Sequence, residues 1–346
     1  MISIVPLQKY LESNGIDCAL FLNGEKSDAN CFYLTGYTGA GVLVVPATGD
    51  PFLHVPSRDK EMAEKIKGVF FSDGSRKLFD VLKEKNISCE KVGICFDKIL
   101  VSEFNRLKEK LNCSFIDLSD FMKELREVKS KTEIANIKRA CSITDEILGK
   151  FVGKFKDFKT EEEAAAFLVY ETRVRGCGLA FEPIVASGTN AAVPHHSPSG
   201  KINNGFCVVD FGVTYKGYCS DVTRTFYVGE PTTSDKKLYY DLLKLQEGAI
   251  SKVKAGAEIA SLHNDVAKIL GDKFIHSLGH GMGIEVHETP YVSSSTKGVL
   301  KEGMVITIEP GIYVSGKYGI RIEDDVLVTN GKPLVLSRFS KELIKL

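Results

Sequence analysis

The chain has 346 residues and carries 45 basic and 45 acidic side chains, so its formal net charge is zero. This length predicts about two domains, and a composition of 43% hydrophobic and 26% charged residues is that of a folded protein rather than a disordered one. The balanced charge argues against a nucleic-acid partner, and no apolar stretch approaches the ~20 residues of a membrane helix.

The first third of the chain alternates short strands with amphipathic helices. Runs rich in β-branched and aromatic residues predict strands at residues 18–22, 41–45, 51–55, 69–71 and 92–96. Apolar residues spaced three and four apart predict helices at residues 58–66, 76–84 and 100–111. This alternation predicts an α/β domain, and we find no catalytic motif in it.

A charged segment rich in lysine and glutamate, residues 120–132, interrupts this pattern. We place the domain boundary there, which gives domains of residues 1–126 and 127–346. Thr132 is the predicted N-cap of a long helix. Further helices are predicted at residues 160–174, 236–253 and 259–270, among strands and turns. Six of the seven histidines lie beyond residue 190, so we expect the chemistry in the second domain.

The nine cysteines form no C-x-x-C pair, and most of them lie within apolar runs. We therefore expect free, buried thiols rather than a disulfide framework or a zinc ribbon. The first residues also show no basic segment followed by an apolar one, as a secretory signal would. Both observations predict a cytoplasmic protein.

Two strand-like runs at residues 205–224 flank Tyr215, Lys216 and Gly217 and predict a hairpin with a short turn. If Tyr215 and Lys216 form the loop, Asp210 faces Asp221 on the neighbouring strand. Facing carboxylates lie about 5 Å apart and repel each other, so the pair needs a shared proton or a bound cation. A register shifted by one residue would instead place the two acids on opposite faces of the hairpin.

A second candidate hairpin spans residues 305–324 and folds about Gly316, which places Glu309 opposite Glu323. Charged side chains are rarely buried unless they are paired or bind a metal. Two such acid pairs in one domain favour an oxygen-rich metal site over two solvated faces. With an imidazole ligand added, such a site suits Mn²⁺, Co²⁺, Fe²⁺ or Zn²⁺.

Imidazole donors are expected from the glycine-rich segment at residues 274–290, which contains His280 and His287. A single histidine is more often structural, but these two share a domain with four suspect carboxylates. The adjacent His195 and His196 follow a turn-rich stretch, which on its own favours a surface loop. Competing motifs of serine hydrolases, H-E-x-x-H zinc peptidases and P-loop proteins do not occur in the sequence.

With these residues identified, the chain resembles the proline-specific metallopeptidases of the pita-bread fold, namely Xaa-Pro dipeptidases (prolidases) and aminopeptidases P. The motifs that carry the resemblance are VDFG at 209–212, SDVTRT at 220–225, SLGHG at 277–281, VHE at 286–288, EGMVITIEPGIY at 302–313 and RIED at 321–324. The fold that it implies is α/β (α+β): a small N-terminal creatinase-like α/β domain, then a C-terminal pita-bread catalytic domain related to creatinase and methionine aminopeptidase.

The resemblance also implies a cofactor of two divalent metal ions, with manganese or cobalt expected first and zinc or iron as further candidates. The implied metal ligands are Asp210, Asp221, His280, Glu309 and Glu323. Of these, Asp221 and Glu323 would bridge the two ions. A homodimer is implied as well.

For catalysis, the resemblance implies that Glu309 handles the proton of the attacking water. His195 and His287 match the catalytic histidines, with His196 as the competing candidate for the first position. Arg321 resembles an arginine that supports the metal ligands.

One position departs from the prolidase pattern. An arginine that can bind the terminal carboxylate of the substrate often follows His-Glu-x-Pro in prolidases, and Tyr291 stands there in this chain. We expect a Xaa-Pro dipeptidase acting on proline-containing dipeptides, with an aminopeptidase P acting on longer peptides as the alternative. Creatinase-like hydrolases without metals and a non-catalytic pita-bread binding protein are remote alternatives, because the whole ligand set is present.

Overall fold

The structure is a computed structural model that describes residues 4–24 and 27–346. It divides the chain into two compact units, residues 1–126 and 127–346. Among the described residues, every helix is too short or too polar to cross a membrane. All nine cysteines are free thiols, and seven of them are buried.

The first unit is built around one mixed six-stranded sheet, whose strand order is β4-β3-β2-β1-β5-β6. Its strands are β1 (Cys18–Asn23), β2 (Gly41–Pro46), β3 (Phe52–Val55), β4 (Phe70–Asp73), β5 (Lys91–Ile94) and β6 (Ser114–Asp117). Its helices are α1 (Val5–Ser13), α2 (Ala29–Thr35), α3 (Lys60–Ala63), α4 (Leu78–Glu84), α5 (Val101–Lys110) and α6 (Ser119–Glu127). Apolar side chains of β1, β2, β3 and β5 pack with those of α4 in one core.

The five strands predicted in this unit are confirmed, and the expected α/β architecture with them. The predicted helix at residues 58–66 is shorter, because only Lys60–Ala63 is α-helical after a 3₁₀ turn. Strand β6 and helices α1 and α2 were not predicted. Only Phe115 and Ile116 of β6 are apolar, and two adjacent apolar residues are too few to show the alternation that predicts a strand.

The second unit combines four helices with small antiparallel sheets. Its helices are α7 (Lys131–Lys154), α8 (Glu161–Arg173), α9 (Thr233–Ser251) and α10 (Ile259–Leu270). Its first strands are β7 (Gly178–Leu179), β8 (Ile184–Ser187), β9 (Gly205–Phe211), β10 (Val213–Tyr215), β11 (Tyr218–Cys219) and β12 (Val222–Val228). Its remaining strands are β13 (Gly279–Gly281), β14 (Glu288–Val292), β15 (Val305–Ile308), β16 (Gly311–Val314), β17 (Tyr318–Arg321), β18 (Asp324–Leu327) and β19 (Leu334–Val335).

Two helix pairs cover the sheets of this unit. Helices α7 and α8 pack against β9, β10 and β12 around Phe151 and Leu168. Helices α9 and α10 pack against the five-stranded sheet β14-β13-β15-β18-β19, where Ile250, Leu262 and Ile306 are buried together.

Helix α7 begins earlier than predicted. Its N-cap is Ser130 rather than Thr132, and Ser130 and Glu133 form a reciprocal capping box. The capping box satisfies two backbone donors at once, which explains why Ser130 is preferred to the later threonine.

The first hairpin has a different register from the one predicted. Its loop is Lys216 and Gly217, with φ angles of 48° and 80°, so Asp210 pairs with Thr223 instead of facing Asp221. Two consecutive positive φ angles fit a two-residue hairpin turn, and glycine tolerates this conformation best. Because the shift is two residues, each side chain keeps the face of the strand that the prediction gave it.

The second hairpin has the predicted register. Ile308 pairs with Asp324 at one end, and Gly311 pairs with Arg321 at the other. Glu309 and Glu323 occupy opposite positions in the gap between these two ladders.

Candidate metal centre and active site

Three predicted ligands meet in a buried cluster. Ligand atoms of Asp221, His280 and Glu323 all lie within 4.8 Å of one another. Asp221 stands at the break between β11 and β12, His280 at the middle of β13, and Glu323 between β17 and β18. The strand breaks matter because they free the two carboxylates from a regular ladder and let them turn towards the imidazole.

His280 also brings Glu309 to the cluster. Its Nε2 atom lies 3.5 Å from Asp221 Oδ2 and 3.5 Å from Glu309 Oε1. The other ring nitrogen, Nδ1, lies 3.1 Å from the Gly281 carbonyl oxygen and donates to it. Burial lowers the pKa of His280 to about 4, so the ring is neutral and Nε2 keeps a lone pair that faces the acids.

Asp210 completes the predicted set from β9. Its Oδ2 atom accepts a hydrogen bond of 2.7 Å from Arg321 Nη2. The buried Oδ1 atoms of Asp210 and Asp221 have no hydrogen-bond partner within the described part of the chain. Burial, and then repulsion by neighbouring acids, raises the pKa of Asp221 and of Glu323 well above the ordinary range.

These features fit a divalent cation. Burying carboxylates that repel one another and have unpaired oxygens costs free energy, and a bound cation offsets that cost. Oxygen donors together with one neutral imidazole suit a first-row divalent ion. The donor chemistry of the cluster therefore matches a metal site.

Arg321 and two threonines hold the acids in place. Arg321 Nε donates to Thr223 Oγ1 at 3.1 Å, and Thr223 Oγ1 donates in turn to Glu323 Oε2 at 2.6 Å. Thr307 Oγ1 accepts from the His280 backbone N–H at 3.1 Å and donates to Glu309 Oε1 at 3.3 Å. The threonines were not predicted, although each lies only two residues from a predicted ligand.

A further hydrogen-bond chain leads away from Arg321. Its Nη1 atom donates to the Tyr313 hydroxyl at 2.8 Å, and this hydroxyl lies 3.0 Å from Nε2 of His276. His276 Nδ1 donates to the Ser277 carbonyl at 2.8 Å, and burial lowers the pKa of His276 to about 4. The neutral His276 ring therefore accepts the tyrosine proton, which fixes the hydroxyl oxygen as the acceptor for Arg321.

The structure separates the three remaining histidine candidates. The ring of His287 packs edge-on against the ring of His280, with centroids 4.4 Å apart. His195 is exposed, and repulsion involving it is a secondary cause of the lowered pKa values of His287 and His276, so it lies near both rings. His196 Nε2 instead lies 2.7 Å from Oε2 of the buried Glu161.

Tyr291 lies beside the cluster on β14. It is the cross-strand partner of His280, and it is 49% exposed. Paired residues of an antiparallel ladder point to the same side of the sheet, so Tyr291 lines the open side of the site.

Comparisons with known proteins agree with this geometry. Residues 135–330 match metallopeptidase family M24, and residues 4–128 match the creatinase/prolidase N-terminal domain. The Xaa-Pro dipeptidase of Pyrococcus furiosus is 37% identical over 352 residues, and the alignment covers 98% of each chain.

Solved structures give the same result. A recombinant prolidase from Thermococcus sibiricus superimposes with a TM-score of 0.88 at 37% identity, over 99% of this chain and 98% of that one. An X-Pro aminopeptidase from Thermotoga maritima superimposes with a TM-score of 0.89 at 33% identity, over 96% and 98% of the two chains. The predicted fold class, an N-terminal creatinase-like domain before a pita-bread domain, is confirmed. The chain belongs to metallopeptidase family M24.

Proposed function

We propose that this protein is a Xaa-Pro dipeptidase, which hydrolyses the peptide bond before proline in a dipeptide. The observation that carries the proposal is the buried cluster of Asp221, His280 and Glu323 in a chain of this family. The relatives named Xaa-Pro dipeptidase and prolidase supply the substrate class. An X–Pro bond is a tertiary amide with a fixed ring, which suits a dedicated site.

The cofactor that we infer is a pair of divalent ions, manganese or cobalt, with zinc or iron as further candidates. The unpaired oxygens of Asp210 and Asp221 support two ions rather than one, because the acids extend beyond the three-residue cluster. The residues that would hold the ions are Asp210, Asp221, His280, Glu309 and Glu323. The bound ions would supply a water molecule with a lowered pKa.

Glu309 is the proposed general base. Its carboxylate is largely buried and is held by Thr307, with Oε1 3.5 Å from Nε2 of His280. It takes a proton from the attacking water and returns it to the proline nitrogen as the bond breaks.

His195 and His287 are the proposed donors to the carbonyl oxygen, which becomes negative during attack. We assign His195 rather than His196, because the hydrogen bond to Glu161 occupies the Nε2 atom of His196. Arg321 supports the site through Asp210 and Thr223.

Aminopeptidase P activity on longer peptides is the second candidate. Tyr291 cannot bind the terminal carboxylate of a dipeptide as an arginine would, and one structural relative is an X-Pro aminopeptidase. A non-catalytic role is opposed by the complete set of metal donors.

The test compares Ala-Pro with Ala-Pro-Ala after metal removal and reloading with Mn²⁺ or Co²⁺. We expect hydrolysis to depend on metal and to be faster for Ala-Pro than for Ala-Pro-Ala. Asp221→Asn should lose bound metal and at least about a hundredfold in activity. Preference for the tripeptide would favour aminopeptidase P. Full activity of the metal-free protein would contradict the metal-dependent mechanism.

We also propose a cytoplasmic homodimer. Light scattering after size-exclusion chromatography is expected to give twice the mass of one chain. A monomer at micromolar concentration would contradict the dimer without affecting the proposed reaction.

A further inference from the structure

Residues 187–200, which run from the last residue of β8 towards β9, include His195 and are hydrogen-bonded to a buried carboxylate. We call these residues the histidine loop. Glu161 begins helix α8, and it is fully buried. Its oxygens accept hydrogen bonds from the Ser187 backbone and hydroxyl at 2.7 Å each, from Asn190 Nδ2 at 3.1 Å and from the Ser199 backbone at 3.0 Å. His196 Nε2 lies 2.7 Å from Oε2.

Glu161 is therefore a buried carboxyl group whose hydrogen bonds go largely to one loop. A buried carboxylate is tolerated when donors saturate its oxygens, and its position in the first turn of α8 adds the favourable field of the helix N-terminus. Because the carboxylate only accepts hydrogen bonds, Nε2 of His196 must carry the proton and donate. Both ends of the histidine loop are thus hydrogen-bonded to the same buried carboxyl group.

The histidine loop is also held from the metal side. Arg321 Nη1 donates to the Pro194 carbonyl at 3.3 Å. Strand β17 packs directly on the loop, since a Cβ atom on Gly319 would collide with the Ala191 carbonyl oxygen. His195 accordingly stands between two fixed neighbours, Pro194 held by Arg321 and His196 held by Glu161.

We propose that Glu161 and His196 are positioning residues, which hold the histidine loop so that the exposed His195 stays aimed at the carbonyl oxygen of the substrate. This inference rests on the proposed function for the role of His195. Neither Glu161 nor His196 is among the predicted metal ligands, so their effect should pass through His195 and leave metal binding intact. A shift of about 1 Å in a catalytic group can cost about a hundredfold in rate.

The test is a double-mutant cycle with Ala-Pro as substrate. We expect His196→Ala to lower kcat about tenfold or more with little change in KM, and His196→Gln, which keeps an N–H donor for Glu161, to recover most of the loss. In the His195→Ala background, the same His196→Ala change should have almost no further effect. His54→Ala, in the first unit, is the matched histidine control and should keep wild-type kcat.

Additive losses in the cycle would overturn the proposal, because His196 would then act independently of His195. The proposal would also be overturned if His196→Gln failed to recover activity, because the imidazole of His196 would then be needed for catalysis itself and not only as a donor to Glu161. Metal content, measured in each variant, should equal that of the wild type, and its loss in His196→Ala would also contradict the proposal.

A second measurement needs no activity. Hydrogen exchange at the backbone amides of Ser187 and Ser199, followed in the metal-free protein, should be faster by about tenfold or more in His196→Ala and unchanged in His195→Ala. Wild-type exchange rates in His196→Ala would overturn the positioning role. If the wild-type protein hydrolysed no Xaa-Pro substrate, the proposed function would fail, and exchange would still decide whether Glu161 and His196 hold the loop.

Discussion

Tyr291 is the residue at which this chain departs most clearly from a dipeptide-binding pattern. It lies opposite His280 on β14 and is half-exposed on the open side of the site. An arginine there would offer two parallel hydrogen bonds to a terminal carboxylate, whereas a phenol offers a single neutral one. The side chain at this one position should therefore set the preference between dipeptides and longer peptides.

We expect Tyr291→Arg to raise kcat/KM for Ala-Pro about tenfold relative to Ala-Pro-Ala, since a charge-assisted hydrogen bond contributes about 1.5–3 kcal/mol. The measurement is the ratio of kcat/KM values for the two peptides. Tyr291→Gln, which adds a neutral donor of similar reach, is the control and should change the ratio little. An unchanged ratio in Tyr291→Arg would show that position 291 does not contact the carboxylate.

The clustered acids should make the metal-free protein less stable as pH rises from 6.5 to 8. Burial raises the pKa of Glu309 to about 7, and it raises the pKa values of Asp221 and Glu323 well above their ordinary range. These groups keep protons in the folded state that the unfolded chain has already lost, so the free energy of unfolding falls with pH. His280, whose pKa is lowered to about 4, opposes the effect only weakly, because the unfolded histidine, with a pKa of about 6.5, loses its remaining proton early in this interval.

Urea denaturation in the presence of a chelator would measure this slope. A group that kept its proton throughout the interval would contribute about 2 kcal/mol, and Glu309, which loses its proton near pH 7, contributes less. With Mn²⁺ bound the acids are ionised in the folded state as well, so the slope should disappear. Rising stability of the metal-free protein between pH 6.5 and 8 would contradict the clustering of these carboxylates.

At this scale the sequence suggests the candidate ligands but not the residues that hold them in place. Asp221, His280 and Glu323 could be proposed because charged or imidazole groups in apolar strands need a reason to be there. Thr223, Tyr313 and Glu161 could not, because a threonine, a tyrosine and a glutamate in the first turn of a helix are ordinary in their local contexts. Their roles depend on contacts with distant parts of the chain, such as Glu161 with Ser187.

Among the elements, the two hairpins show what sequence patterns can and cannot predict. The register about Gly316 was correct, because one glycine marks the turn and β16 and β17, the strands on either side of it, pair without a register shift. The register about Lys216 and Gly217 was wrong by two residues, because Tyr215 and Lys216 looked equally suitable as a loop. Strand periodicity preserves the face under such an error, so both acids were still placed on the correct side.

The close approach at Gly212 should make the first hairpin intolerant of even one added carbon. A Cβ atom at this position would collide with the carbonyl oxygen of Ser220, next to Asp221. We expect Gly212→Ala to destabilise the protein by about 2 kcal/mol or more and to weaken metal binding, because the backbone around Asp221 must move. Thermal unfolding and metal titration would measure the two effects.

Gly153 gives the matched control for this substitution. It lies within helix α7, and no atom lies within 4 Å of its Cβ position among the described residues. Alanine there should stabilise the protein by about 0.5–1 kcal/mol, because alanine favours the helix, and should leave metal binding unchanged. Equal behaviour of the two variants would show that the hairpin accommodates the added carbon.

For the molecule as a whole, the chemistry is concentrated in one unit. The five predicted ligands, from Asp210 to Glu323, all belong to residues 127–346, and the charge-neutral composition hides their clustering. The first unit has its own core, centred on Leu20, Val44 and Val92. The sequence could indicate both units, because their patterns of apolar and charged residues differ. Only the structure shows that strands distant in sequence converge on one site.

This concentration predicts that metal binding stabilises the two units unequally. A ligand that binds only the folded state contributes about 2.7 kcal/mol at a hundred times its dissociation constant. We expect Mn²⁺ to slow hydrogen exchange in peptides from residues 127–346, most strongly around Asp221 and His280, and to leave peptides from residues 1–126 nearly unchanged. Mass spectrometry of proteolytic fragments would locate the change, and Asp221→Asn should abolish it. Equal protection of both units would mean that they unfold as one cooperative body. If the point along the chain at which protection begins lay far from residue 127, the proposed domain boundary would be contradicted.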